Sequence, residues 1–246
     1  MGIEYRQDDD LAFIQYCSED DIRKLAFYLM HDKDGEKRIA SEIADDESFK
    51  LLHGQPDKWR KSWKLVAGEL QHFGGDSIVN LLRREGVLYK EILSDVCDKI
   101  KVKHNKKDSA YDIENLLIAR LVEISWEKMS DSEKQEALDF MNISDALGGI
   151  SILAIINIIK TGRLGSLQWS SWLANSAQIA FGNVAIVGVG AAAAFIGARG
   201  AAAIAGPLAA VVLTVPLLTG AAYRVTMPAV IQIAYMRRKY EQKDRF

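Results

Sequence analysis

IAFGNVAIVGVGAAAAFIGA (residues 179–198) and GAAAIAGPLAAVVLTVPLLT (residues 200–219) stand on either side of Arg199. Each run holds 20 residues without a charge, and in the first only Asn183 is strongly polar. A helix needs about 20 apolar residues to cross a bilayer. One continuous helix would set Arg199 at its centre, at a cost of about 2.5–3.5 kcal/mol in lipid. A turn at Arg199-Gly200 avoids that cost, because an arginine at a hairpin tip snorkels to water. The pattern predicts an apolar helical hairpin over 179–219. Gly190, Ala194, Ala198, Ala202, Gly206 and Ala210 recur every fourth residue. Such spacing puts small groups on one helix face and lets backbones approach closely, as in membrane helix pairs. Pro207 and Pro216 kink the second arm. The residues expected to shape the hairpin are Asn183, Gly190, Gly197, Arg199, Gly206, Pro207 and Pro216.

Outward from the hairpin, the charge pattern divides the chain. Residues 1–146 carry 22 Lys/Arg against 31 Asp/Glu, and residues 147–246 carry 9 against 2. From Ala146 to Tyr240 there are 95 residues without a carboxylate. The basic residues Lys160, Arg163, Arg224, Arg237, Arg238 and Lys239 flank the hairpin, which by the positive-inside rule keeps both its ends in the cytoplasm. The terminal helix, about 221–241, is expected to lay its Arg-Arg-Lys end along anionic headgroups. Ala146–Ile159 is uncharged over 14 residues, too short to span, and reads as a buried or interfacial helix. Trp169 and Trp172 follow it and suit either a membrane boundary or a core.

Only helical periodicity runs through the acidic half, so the fold class is all-α, with an acidic helical domain over 1–142 and an apolar helical region over 143–246. Asp10 is read as the cap of Leu11–Cys17. Ser18-Glu19-Asp20-Asp21 resembles a capping box and opens a helix with Ile22, Leu25, Ala26 and Leu29 on one face. Asp32–Gly35 is a turn rather than a calcium loop, since Ser41 falls where a bidentate Glu is required. Short helices are expected over Glu36–Ala44 and Ser77–Arg84. Asp57 is read as the cap of a helix with Trp59, Trp63, Val66, Ala67, Leu70 and Phe73 inward. Its two tryptophans beside Lys58, Arg60, Lys61 and Lys64 would suit base stacking, but the negative balance of the domain favours a core stripe. Leu88–Ile100 repeats an apolar residue every fourth position. The lysine-rich stretch Lys99–Lys107 is a solvated loop or a surface for an anionic partner. A long helix over about 110–129 and a capped helix from Ser130 to Met141 complete this half.

No secretory signal heads the chain, and Arg6 breaks the myristoylation pattern. Cys17 and Cys97 are expected as buried thiols of a reduced compartment. His31, His53, His72 and His104 are scattered, with no metal spacing, nucleophile elbow, P-loop or dinucleotide fingerprint. Hence no catalytic residue, metal or cofactor is expected, nor a nucleic-acid partner.

Tyr5-Arg6-Gln7-Asp8-Asp9-Asp10-Leu11-Ala12-Phe13-Ile14 resembles the N-terminal signature of the YaaW-like family of uncharacterised bacterial proteins. Glu69-Leu70-Gln71-His72-Phe73-Gly74-Gly75-Asp76-Ser77-Ile78, continued by Gly86-Val87-Leu88-Tyr89-Lys90-Glu91-Ile92-Leu93, resembles the middle region of that family. That region is in turn similar to ubiquinol–cytochrome c assembly chaperones. The resemblance implies a helical fold and carries no functional residues. Two readings of function follow. In one, the hairpin inserts into or packs at the cytoplasmic face of the inner membrane, with lipid, a membrane protein or further copies of the chain as partners. In the other, it is the permanent core of a soluble interaction or assembly-factor protein.

Overall fold

A computed structural model describes residues 3–31, 38, 41–74, 86–140, 152–160 and 223–243. The described residues are mostly helical and form no β-sheet. The chain divides into two compact units, Met1–Glu114 with Thr219–Phe246, and Asn115–Leu218. The first unit therefore joins sequence from both halves, unlike the division at 142/143 read from charge. The expected hairpin, the turn at 32–35 and the helix at 77–84 lie outside the described residues.

In the first unit, a 3-10 helix over Ala12–Tyr16 leads into α1 (Glu19–Met30). Ser18 caps α1 as expected, its hydroxyl accepting the Asp21 amide at 3.2 Å, and Ile22, Leu25, Ala26 and Leu29 are fully buried. The first turn is held differently from its reading. Asp8, not Asp10, supplies the carbonyl for the Leu11 amide, at 3.1 Å, and its carboxylate takes the Asp10 amide at 3.0 Å. Among the described residues of 36–44 the only helical turn is at the end, a 3-10 turn over Ile43–Asp45. A short helix that sequence reading passed over, α2 (Glu47–Leu51), is capped by Asp46.

The tryptophan helix is broken. The segment α3 (Lys58–Lys61) ends at Ser62, and α4 (Trp63–Gly74) begins directly after it. Asp57 makes no capping bond; it pairs instead with Lys61 at 3.1 Å. The cap comes from α1. Each oxygen of Glu19 accepts one amide of α3, from Trp59 and from Arg60, both at 2.8 Å. Each tryptophan has its own ring partner, Phe49 for Trp59 at 4.7 Å and Tyr5 for Trp63 at 5.2 Å. The stripe is thus packed against protein, not set out as a platform.

Next come α5 (Tyr89–Lys99) and the first residues of α6 (Ala110–Lys128). Ser109 opens α6 with a reciprocal bond to Asp112, its hydroxyl accepting the Asp112 amide at 3.1 Å and donating to the Asp112 carboxylate at 2.6 Å. The last element, α9 (Tyr223–Lys243), packs on α1, α4 and α5. Every residue from Val225 to Met236 is buried, Thr226 and Gln232 included. Extended N-terminal chain crosses α4, where the Gln71 side-chain amide accepts the Arg6 N–H at 3.0 Å and donates to the Arg6 carbonyl at 2.9 Å. Gly68 allows that crossing: a Cβ there would come within 3.3 Å of the Tyr5 backbone.

In the second unit, α6 continues from Asn115, followed by α7 (Asp131–Phe140) and α8 (Ile152–Lys160). Leu117, Ile118, Leu121, Val122, Leu138, Ile155 and Ile156 are buried there, while Leu153 is exposed. Leu116 and Ile124 of α6 are only half-buried.

Candidate functional site

The densest chemistry among the described residues lies under α9. Glu114, at the second turn of α6, is fully buried. Its position on an apolar face, one residue after Ile113 and four before Ile118, sends the carboxylate inward. Each of its oxygens accepts two donors. Oε1 takes the Tyr89 hydroxyl at 2.9 Å and Arg237 Nε at 3.1 Å. Oε2 takes Arg237 Nε at 3.2 Å and Arg238 Nη1 at 3.4 Å. A carboxylate has about four lone-pair sites, so Glu114 is saturated.

Both arginines make further contacts inside the same unit. Arg237 Nη2 donates to the Asp10 carbonyl at 2.8 Å, and its guanidinium lies 4.5 Å from the centre of the Phe13 ring. Arg238 Nη1 also donates to the Ala234 carbonyl at 2.6 Å, and its guanidinium stands 5.3 Å from the Tyr111 ring. At the next residue, Lys239 Nζ meets the Asp21 carboxylate at 2.6 Å. Burial works against the charge of Arg237, but Glu114 outweighs it and raises its pKa. For Arg238 burial prevails and lowers it. Burial, reinforced by Glu114, pushes the Tyr89 phenol well up, so it stays protonated and donates.

Asp8 ties the N-terminus to the same cluster, its Oδ2 accepting the Tyr89 amide at 2.7 Å and capping α5 from 81 residues away. The arrangement is a clamp. Glu114 is saturated and the arginines are enclosed, so the cluster joins α5, α6 and α9 around one carboxylate. Among the described residues no group of three or more His, Cys, Asp or Glu is placed to hold a metal.

The expected headgroup contacts Arg237, Arg238 and Lys239 are thus paired inside the first unit, not set out on a basic flank. Carboxylates of the acidic half draw them in, a partnership invisible in the local sequence of α9. Lys160 ends α8 and Arg224 lies in α9, whereas Arg163, Asn183, Gly190, Gly197, Arg199, Gly206, Pro207 and Pro216 lie outside the described residues. Cys17 and Cys97 are buried thiols outside any disulfide, as expected, and burial pushes Cys97 up to about 12.

A domain of unknown function, DUF3944, matches residues 5–39. The chain is 38% identical over 243 residues to the UPF0174 protein YaaW of Escherichia coli K12, covering 97% of each. It is 35% identical over 243 residues to a UPF0174 protein of Helicobacter pylori J99, covering 98% of this chain and 95% of that one. The chain belongs to the UPF0174 family. No solved structure matches it. In this UPF0174 chain the DUF3944 segment contains Asp8, Asp10, Glu19 and Asp21, whose carboxylates or carbonyls tie it to α3, α5 and α9.

A second buried carboxyl stands apart from the clamp. Glu69 of α4 is 2% exposed. Burial pushes it from 4.5 up to about 7, against the pull of the Ser41 hydroxyl and the Glu42 amide. Neither Glu69 Oε1 nor Ser41 Oγ completes a hydrogen bond.

Proposed function

We propose that this protein is membrane-associated, with segment 179–219 inserting as a helical hairpin into, or packing at, the cytoplasmic face of the inner membrane. The observation that carries the reading is the pair of 20-residue uncharged runs around Arg199. The path of the chain supports it. The chain leaves the first unit after Glu114 and rejoins it at Thr219. A segment that starts and ends in one folded unit crosses a bilayer an even number of times or not at all, which a hairpin satisfies. Among the described residues no helix is long and apolar enough to cross a membrane, and segment 179–219 lies outside them.

Carbonate extraction and liposome flotation test the reading. The full chain is expected to resist extraction and to float. Arg199→Leu joins the uncharged runs and is expected to float more readily. Arg199→Glu keeps a charge at a wet tip and is expected to leave stability unchanged. Soluble recovery, with Arg199→Glu costing about 3–5 kcal/mol as for a broken buried pair, would reject it.

The pairing of Arg237, Arg238 and Lys239 with Glu114 and Asp21 favours a second reading, a soluble interaction or assembly-factor protein, in line with the resemblance of the middle region to assembly chaperones. A monodisperse, detergent-free species with no lipid affinity is its signature.

A further inference from the structure

Arg237, Arg238 and Lys239, one basic run of this chain, are consumed by Glu114 and Asp21. The run Lys99–Lys107 is built in the opposite sense. Where α5 ends, Lys101 takes a left-handed backbone (φ 61°), the Lys101 amide donates to the Asp98 carbonyl at 3.1 Å, and the Val102 amide to the Cys97 carbonyl at 2.8 Å. This reversal buries Val102 and tucks in His104, and the alternation leaves Lys101 and Lys103 outside. A second turn closes when the Asp108 amide donates to the Asn105 carbonyl at 3.0 Å and the Asn105 amide to Asp108 Oδ2 at 2.8 Å. Lys106 and Lys107 stand exposed on it, and Lys90 Nζ grips the Lys106 carbonyl at 3.0 Å. The backbone is thus stapled at three places while four ammonium groups point to water. Among the described residues Lys101, Lys103, Lys106 and Lys107 make no ion pair.

We propose that this loop is a docking surface for anionic lipid headgroups. The choice of a bilayer rests on the membrane reading above; the surface itself does not depend on the hairpin. Residues 98–108 hold five lysines against Asp98 and Asp108, inside a half with 22 basic and 31 acidic residues. A body of that balance is repelled by an anionic plane except through a positive window, so the loop sets orientation as well as affinity. The chemistry fits a delocalised plane of charge rather than a polynucleotide. Lysines act as mobile point charges, without the planar fork that arginine offers to phosphates and bases. No Phe, Tyr or Trp lies between Lys99 and Lys107, and the His104 ring is tucked in rather than set out for a base to stack on.

The test uses the full chain and a variant carrying Lys101→Gln, Lys103→Gln, Lys106→Gln and Lys107→Gln, with equal melting curves as the check on folding. Both are floated with vesicles of phosphatidylcholine alone and of phosphatidylcholine with phosphatidylglycerol. The parent is expected to bind the anionic vesicles more strongly, with the excess falling as salt is raised. The variant is expected to lose that excess by about tenfold or more, while its binding to neutral vesicles is unchanged. An excess that survives in the variant, or no excess in the parent, overturns the docking surface and leaves the hairpin reading standing. Lysine-dependent binding to anionic vesicles with none to neutral ones supports the loop and counts against insertion. Equal salt-sensitive, lysine-dependent binding to a homopolymeric RNA, without a vesicle preference, overturns the lipid assignment.

Discussion

Glu114 and Arg237 are 123 positions apart in the chain and 3.1 Å apart in the structure. The contact closes the first unit, since α9 contributes buried residues to its core and both arginines to the Glu114 carboxylate. The N-terminal segment, α5, α6 and α9 all meet at this carboxylate or at its direct partners.

Glu114→Ala leaves two enclosed guanidinium groups without their anion. The expected loss is about 3–5 kcal/mol in urea unfolding, the range for breaking a buried pair from one side. Lys239→Ala is expected to cost less, because Lys239 is 31% exposed and its partner Asp21 also accepts from the Ser18 hydroxyl.

Glu69 gives the unit a pH dependence. Its folded pKa of about 7 lies above the ordinary 4.5, so the folded state holds the proton more tightly than the unfolded chain. Its contribution is fully present below about pH 4.5 and is lost as pH rises through about 7, a swing on the order of 3 kcal/mol. Glu69→Gln mimics the neutral acid. It is expected to flatten this part of the stability profile and to exceed the parent at pH above about 7 in parallel urea titrations.

Lys101→Gly is expected to raise stability by about 0.5–1 kcal/mol. The left-handed backbone at this helix C-terminus costs an L-residue energy that glycine does not incur. A thermal melt of the single variant checks it, and a loss of stability would mean that the Lys101 side chain contributes more than its backbone costs.

Glu19→Ala removes the carboxylate that caps α3 across 40 residues, through two amides at 2.8 Å. The expected cost is about 1–2 kcal/mol, near the upper part of the range for a lost cap. Hydrogen exchange at the Trp59 and Arg60 amides is expected to accelerate more than at Leu70 in α4.

Local signals fixed the helices well. The Ser18 box, the four-residue repeat from Leu88 and the long run after Ser109 lie within a residue or two of α1, α5 and α6. Readings failed where the deciding partner is distant. Asp57 had the right type and place for a cap, yet Glu19 holds α3, and Asp8 rather than a neighbour holds α5. Glu69 and Glu114 were detectable as carboxylates at core positions of helical stripes, which demand a partner or a raised pKa. Their partners were not, since Arg237 and Arg238 read equally well as a surface run. The headgroup role expected of that run follows from sign and clustering alone, whereas in the structure its charges meet Glu114 and Asp21.

Because the first unit is assembled from the two ends of the chain, it cannot be completed while the ribosome is still making the middle. Roughly 100 residues separate Glu114 from α9, and at about 5–20 residues per second they take about 5–20 s to emerge. Throughout that interval the nascent chain carries an inward-facing carboxylate without its arginines and a core without its last helix. Segment 179–219 is translated within the same window, so the most apolar part of the protein is presented to the cell before its acidic body can close.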